Sequence, residues 1–245
     1  MRIVARPTVA RRSPRLTEAW NNLGLACTEA GDPDQAIAAS TQALQIDPTF
    51  ALAYYNRALA YSAKGDSDGV IADDTAALKL MPDYASAYVN RANAYMAKGE
   101  WDKAFADDLR ALKLNPHEGT AYCTLGMIYA AHGQDENALE QYDNAIREFE
   151  QTHDPRLATV HGNRAVVSMH RRDFVQAIRD LDEAVRIEPG NEKWYDARGI
   201  AWAQRQEYGK AIADFKQALA LNPDDKNAQA DLAHAQALAN PAGPR

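Results

Sequence analysis

The feature that most constrains this chain is a 34-residue period. Residues 85–118, ASAYVNRANAYMAKGEWDKAFADDLRALKLNPHE, hold two helical patterns separated by Lys98-Gly99-Glu100 and closed by Asn115-Pro116. Tyr88, Ala92 and Tyr95 share one face of the first half. Ala104, Phe105, Ala111, Leu112 and Leu114 share the facing side of the second. A period near 3.6, a Gly between the halves and a Pro after them predict a helical hairpin. One hairpin cannot bury its own apolar faces, so it needs copies on either side. The pattern begins at Thr17, Ala51, Ala85 and Gly119, pauses over 153–157, and resumes at Ala158 and Glu192. The six units are therefore 17–50, 51–84, 85–118, 119–152, 158–191 and 192–225. One column is always small: Gly24, Ala58, Ala92, Gly126, Ala165 and Gly199. Another is Ala throughout: Ala43, Ala77, Ala111, Ala145, Ala184 and Ala218. Small residues at fixed places let two backbones approach closely.

Pro48, Pro82, Pro116, Pro189 and Pro223 close five of the units. The fourth reads Tyr122-x2-Leu125-Gly126-x2-Tyr129, and the first Trp20-x2-Leu23-Gly24. With a helix–turn–helix period of 34, this signature resembles the tetratricopeptide repeat family. The resemblance implies an all-α, right-handed superhelical α-solenoid whose first helices line a concave wall. It also implies a shared habit of binding other proteins rather than a shared chemistry. Residues 226–240, with Ala228, Leu232, Ala235 and Leu238 at helical spacing, read as a C-terminal capping helix. Residues 241–245 read as a frayed tail.

Outside the repeats, residues 1–16 carry Arg2, Arg6, Arg11, Arg12 and Arg15 and no acid; removing those five charges takes the net charge from −7 to −12. This leader reads as disordered, with a docking tail for an acidic partner as the alternative. The acidic remainder argues against a nucleic-acid surface. The run Ile3-Val4-Ala5 is too short for a signal-peptide core or a membrane span. Cys27 and Cys123 stand 96 residues apart in units that should not touch, which favours a reducing, cytoplasmic setting. The fourth unit lacks its closing Pro and predicts a lengthened second helix before Pro155. The insertion at 153–157 is either a hinge between a four-unit and a two-unit block or a tolerated surface loop.

The chain carries few motifs that point to chemistry. The histidines show no HExxH spacing, and there is no CxxC pair, phosphate loop or GxGxxG, so no metal, cofactor or enzymatic role is expected. The carboxylates have a structural explanation. Arg57 and Asp73 each lie eight residues from Gly65, and an antiparallel hairpin sets them level. The same holds for Arg91 with Asp107, Arg164 with Asp180, and Arg198 with Asp214. Where the Arg becomes Leu23 or Leu125, the Asp becomes Ala39 or Gln141. Arg and Asp come and go together, as contacting partners do.

What remains is a surface. One column of the implied inner wall reads Asn22, Asn56, Asn90, Thr124, Asn163 and Ala197. It is similar to the asparagine ladder of the O-linked GlcNAc transferase superhelix, and it could bond the main chain of an extended peptide. The alternative is that these Asn side chains bridge neighbouring units. Around the column stand Tyr55, Leu59, Val89, Asn93, Met96, Cys123, Met127 and Val166, a neutral and partly apolar lining with adaptable Met. The carboxylate clamp of chaperone-binding family members is not matched, since its basic places hold Asn21, Leu52, Ser86 and Asn90. The sequence therefore predicts a non-catalytic adaptor holding an extended or helical segment of another protein in its groove. A self-associating scaffold is the alternative.

Overall fold

The computed structural model describes residues 13–240. Among these the regular structure is entirely helical: α1 (Pro14–Glu29), α2 (Pro33–Ile46), α3 (Ala51–Ala63), α4 (Ser67–Leu80), α5 (Ala85–Ala97), α6 (Trp101–Leu114), α7 (Gly119–Ala131), α8 (Asp135–Thr152), α9 (Leu157–His170), α10 (Phe174–Ile187), α11 (Glu192–Gln204), α12 (Tyr208–Leu221) and α13 (Lys226–Ala239). The first twelve pair into six hairpins, and α13 packs on α12. Helix α1 begins at Pro14, inside the stretch read above as leader, because Pro fits the first helical turn. The Arg-rich residues 1–12 and the tail 241–245 lie outside the described residues.

Each hairpin turn needs one residue with positive φ. Gly31, Gly65, Gly99 and Gly133 supply it at 68° to 76°, and Arg172 and Gln206 take the same place in the last two repeats at 64° and 62°. Asp32, Asp66 and Asp173 then start their second helices by accepting from the backbone N–H of Gln35, Gly69 and Gln176.

Small residues set the distance between the paired helices. A Cβ placed on Gly126 would lie 2.6 Å from the Tyr142 ring, and one on Gly199 would lie 2.7 Å from Phe215. The alanines 43, 77, 111, 145 and 184 have no exposed surface at all. Within this packing the helices group into two compact units divided between Pro116 and His117. The first holds α1–α6 and the second α7–α13. The insertion near residue 155 is therefore not the divide between blocks, for it lies inside the second unit. There α8 runs to 18 residues against 14 in the other second helices. His153 ends it in the left-handed region at φ 55°, and Arg156 ties the connection back to Asp154 and to Thr120 Oγ1 at 2.7 Å. In the first unit α1 touches α3 and α3 touches α5, and in the second α7 touches α9. No second helix packs on another second helix to that extent. The first helices thus lie on the tighter side of each stack.

The Arg–Asp columns cross these joints. Arg57 holds Asp73 through Nε and Nη2 at 2.7 and 2.8 Å, Arg91 holds Asp107 in the same way, and Arg198 holds Asp214 at 2.8 and 2.7 Å. Arg164 grips both oxygens of Asp180, which also faces His161 at 3.0 Å. Burial opposes ionisation of Asp180, but the bonds from His161, Arg164 and Gln176 outweigh it and hold that carboxyl below the usual range. The remaining nitrogen, Nη1, reaches the preceding repeat. It meets Thr41 at 3.0 Å from Arg57, Thr75 at 2.9 Å from Arg91, Asp143 from Arg164, and Asp182 at 2.7 Å from Arg198. One guanidinium therefore fixes a hairpin internally and staples it to its neighbour. Arg91→Leu should destabilise the protein by about 3 kcal/mol, because it strands a buried carboxylate. Adding Asp107→Ala should recover much of that loss in chemical denaturation, and a double variant no better than the single would refute the coupling.

Candidate functional site

The residues of the predicted wall separate by exposure. Asn22, Asn93, Met127 and Val166 are exposed; Tyr55, Leu59, Asn90, Met96, Cys123 and Asn163 are half-buried; Asn56, Val89 and Thr124 are buried. Helical geometry explains the division. One register on the first helices runs Leu25, Leu59 and Asn93 in the first unit, and Met127, Val166 and Ile200 in the second, and it is exposed at Leu25, Asn93, Met127 and Val166. Leu25 is 38% exposed, Met127 41% and Val166 57%, which is high for such apolar side chains. Leu25, an exposed leucine of this wall in the first unit, is not among the residues the sequence pointed to, whereas the exposed Leu52 was noted only as an uncharged place of the unmatched clamp. Leu25 lies one period before Leu59, and that spacing was the signal available.

The asparagine column is occupied differently. The side-chain amide of Asn56 donates to Asn21 Oδ1 at 2.8 Å, and that of Asn90 donates to Asp74 Oδ2 at 2.7 Å. Both acceptors belong to the preceding repeat, so these two side chains sit in joints between repeats. A ligand main chain would have to compete with those bonds. Thr124 turns its hydroxyl onto Thr120 O of its own helix at 3.1 Å. Tyr55 meets Tyr84 edge-on with ring centres 4.7 Å apart. Asn56→Ala with Asn90→Ala should lower the thermal midpoint, since each change leaves a buried acceptor unpaired at about 1–3 kcal/mol. Partner affinity of the folded protein should hold. An unchanged midpoint would return these residues to the ligand-binding wall.

Asp74 itself is unusual. It has no exposed surface, its Oδ1 has no hydrogen-bond partner, and it occupies the register filled by Tyr142, Leu181 and Phe215 in later repeats. Burial pushes its pKa up to about 8, with Asn90 and Arg91 giving partial relief. The unfolded chain titrates near 3.9, so between about pH 4 and pH 8 only the folded state holds this proton. The stability it contributes is complete below pH 4 and is lost as pH rises through about 8. Asp74→Asn should flatten the decline of the thermal midpoint between pH 5 and pH 8. An identical slope in the variant would place the proton elsewhere.

Among the described residues no group of three or more His, Cys, Asp or Glu is placed to hold a metal ion, and no helix is long and apolar enough to cross a membrane. The hairpin repeats match the family described as tetratricopeptide repeat over 85–118, 123–192 and 192–225, and as TPR repeat over 24–65. The chain belongs to the tetratricopeptide repeat family. A DnaJ homolog subfamily C member 7 homolog from Dictyostelium discoideum is 30% identical over 87 residues, which take in 34% of this chain and 16% of that protein. The chain thus matches well under a fifth of that relative's length. Among solved structures, the anaphase-promoting-complex hetero-tetramer Cut9-Hcn1 superposes with a TM-score of 0.79 at 19% identity, covering 91% of this chain and 44% of the other. YrrB, described as a TPR protein with an unusual peptide-binding site, superposes with a TM-score of 0.62 at 20% identity, covering 80% and 97%. At these identities the likeness is one of fold, an α-solenoid of helix–turn–helix repeats. That architecture is a protein-interaction scaffold.

Proposed function

We propose that this chain is a non-catalytic adaptor that holds an extended or helical segment of a partner protein against its first helices. The observation that carries this reading is the apolar register within each unit: exposed Leu25 with half-buried Leu59 in the first, and exposed Met127 with exposed Val166 in the second. Scattered surface leucines need no explanation, but large apolar side chains recurring at one register within a unit form a patch that a partner can cover. Asn93 and Met96 flank the row in the first unit and supply polar and adaptable contact. YrrB, with its peptide-binding site, lends the fold-level precedent. In this reading Asn56 and Asn90 act indirectly, by fixing the stacking of the helices that carry the row.

A second reading, self-association, is favoured by a different observation. Leu16 and Leu23 are 49% and 46% exposed on α1, and Ala26 is exposed beside them. Its counterpart Ala94 is buried against Ala58 and Val70 of the preceding repeat.

The test is an affinity capture with quantitative mass spectrometry, comparing wild type with Leu25→Ser plus Leu59→Ser and with Met127→Ser plus Val166→Ser. The changes at exposed Leu25, Met127 and Val166 shift stability by only about 0.5 kcal/mol each, and the thermal midpoint of the variant carrying Leu59→Ser confirms that it is folded. Specific partners should drop at least about tenfold, the equivalent of 1.4 kcal/mol. A partner set unchanged in both variants would overturn the adaptor reading. A rise of mass with concentration in light scattering, abolished by Leu23→Asp, would establish the second.

A further inference from the structure

Two hairpins, the first and the fifth, lack the ring that their siblings carry, and in the fifth its place opens into a cleft. Ten residues after the start of each repeat the chain reads Cys27, Tyr61, Tyr95, Tyr129, Ser168 and Trp202. In the third repeat Arg91 and Lys103 lie 5.8 and 5.2 Å from the Tyr95 ring centre. In the sixth, Arg205 and Lys210 lie 5.6 and 4.1 Å from that of Trp202. Of the places these cations occupy, two are still basic in the fifth repeat, Arg164 for Arg91 and Arg171 for Arg205, while Gln176 stands where Lys103 and Lys210 do, and the ring is gone. Ser168 stands there, 2% exposed. The vacated space is a cleft of about 460 Å³ between α8, α9 and α10. Leu139 supplies an apolar wall, Gln176 closes the side that a ring would lean on, and Asp143 and Asp173 offer carboxylates. All of it lies within the second unit.

We propose that this cleft receives an aromatic side chain, tyrosine or tryptophan, from a partner protein. The ring would take the place vacated at residue 168. Cations over a ring face attract its quadrupole, and an ordered guanidinium does so without losing further side-chain freedom. Arg91 shows that the two duties are compatible, since it binds Asp107 through two nitrogens while covering Tyr88 and Tyr95. Arg164, held by Asp180 and Asp143, is arranged the same way. An anionic ligand fits poorly, because Asp143 and Asp173 line the cleft and Arg171 already faces Glu136 at 3.1 Å. An aliphatic group would gain nothing from the guanidinium faces. A phenol O–H or an indole N–H would find carboxylate acceptors at Asp143 or Asp173. The volume lies within the range of small-ligand pockets. This contact point is separate from the row of Leu25, Leu59, Met127 and Val166, and its test does not depend on that row.

Amide NMR titration of the full chain tests the proposal, with 3-methylindole and 4-methylphenol as side-chain mimics and 3-methyl-1-butanol as the aliphatic control. The aromatic probes should give saturable shifts confined to α8, α9 and α10, with the alcohol at least about fivefold weaker, as a cation–π preference requires. N-acetyltryptophanamide should bind no more weakly than 3-methylindole. Its exclusion would mean that the cleft takes a free ring rather than a partner's side chain, and would overturn the proposal. Ser168→Tyr should raise the thermal midpoint by about 2–4 °C and abolish the shifts. Arg171→Gln, an exposed change that leaves folding intact, should weaken the aromatic probes about threefold and the alcohol not at all. The variant therefore decides the matter even if Ser168→Tyr does not fold. No saturable shift in wild type at about 20 mM probe, weaker than the range in which such pockets operate, would overturn the proposal. So would equal binding of the alcohol.

Discussion

Close contact between small and large residues is the constraint on which the rest of this structure depends. Glycine at 126 and 199 admits the rings of Tyr142 and Phe215 onto the backbone of the facing helix. Alanine at 43, 77, 111, 145 and 184 is wholly enclosed by its neighbours. Core packing at crystal-like density makes such positions intolerant of even one added methylene. The separation they impose also lets a guanidinium on one helix meet a carboxylate sixteen residues later with two well-formed bonds. It keeps the third nitrogen within reach of the preceding hairpin. The ion pairs are thus a consequence of the spacing, and they lock it in turn.

The two units fill the same register by different means. In the second unit Tyr142, Leu181 and Phe215 occupy the central position of the second helices, each burying apolar surface worth about 1.5–3 kcal/mol. In the first unit that position holds Ser40, Asp74 and Asp108, all buried. The first unit has exchanged transfer free energy for polar joints, among them Asn56 with Asn21 and Asn90 with Asp74. Polar groups buried at a joint favour the one register in which they are paired, because every other register leaves them unpaired. The first unit gains uniqueness of stacking from this arrangement and the second gains cohesion.

Most of the fold was legible because repetition multiplies a weak signal. A single Gly or Pro marks a turn ambiguously, but six registered copies fix the helix boundaries and the contacting columns. The Arg and Asp positions were legible through their joint absence at Leu23 with Ala39 and at Leu125 with Gln141. Their reach to Thr41, Thr75, Asp143 and Asp182 was not, since those residues vary in type and a guanidinium accepts either a hydroxyl or a carboxylate. The asparagine column was visible as a pattern, yet its orientation depends on a rotation of a few tens of degrees about the helix axis. Periodicity does not resolve such a rotation. The same limit hid the burial of Val89 and Asn56 and the exposure of Leu25. The division at Pro116 left no mark in composition, whereas the insertion at 153–157, which did leave one, is the connection that follows a lengthened α8 inside the second unit.

The left-handed turns have a mechanical consequence. In the first four hairpins glycine adopts that conformation without steric penalty, but Arg172 and Gln206 adopt it with a side chain present, at a cost of about 1–2 kcal/mol each. Repeat arrays lose structure piecewise rather than all at once, so a local penalty of this size biases where opening begins. Arg172 sits between Arg171 and Asp173, two of the residues that bound the empty ring position. The turn bordering the cleft is therefore one of the two most strained of the six. Opening that begins at this turn releases its torsional cost and disturbs Arg171 and Asp173 of the cleft at the same time.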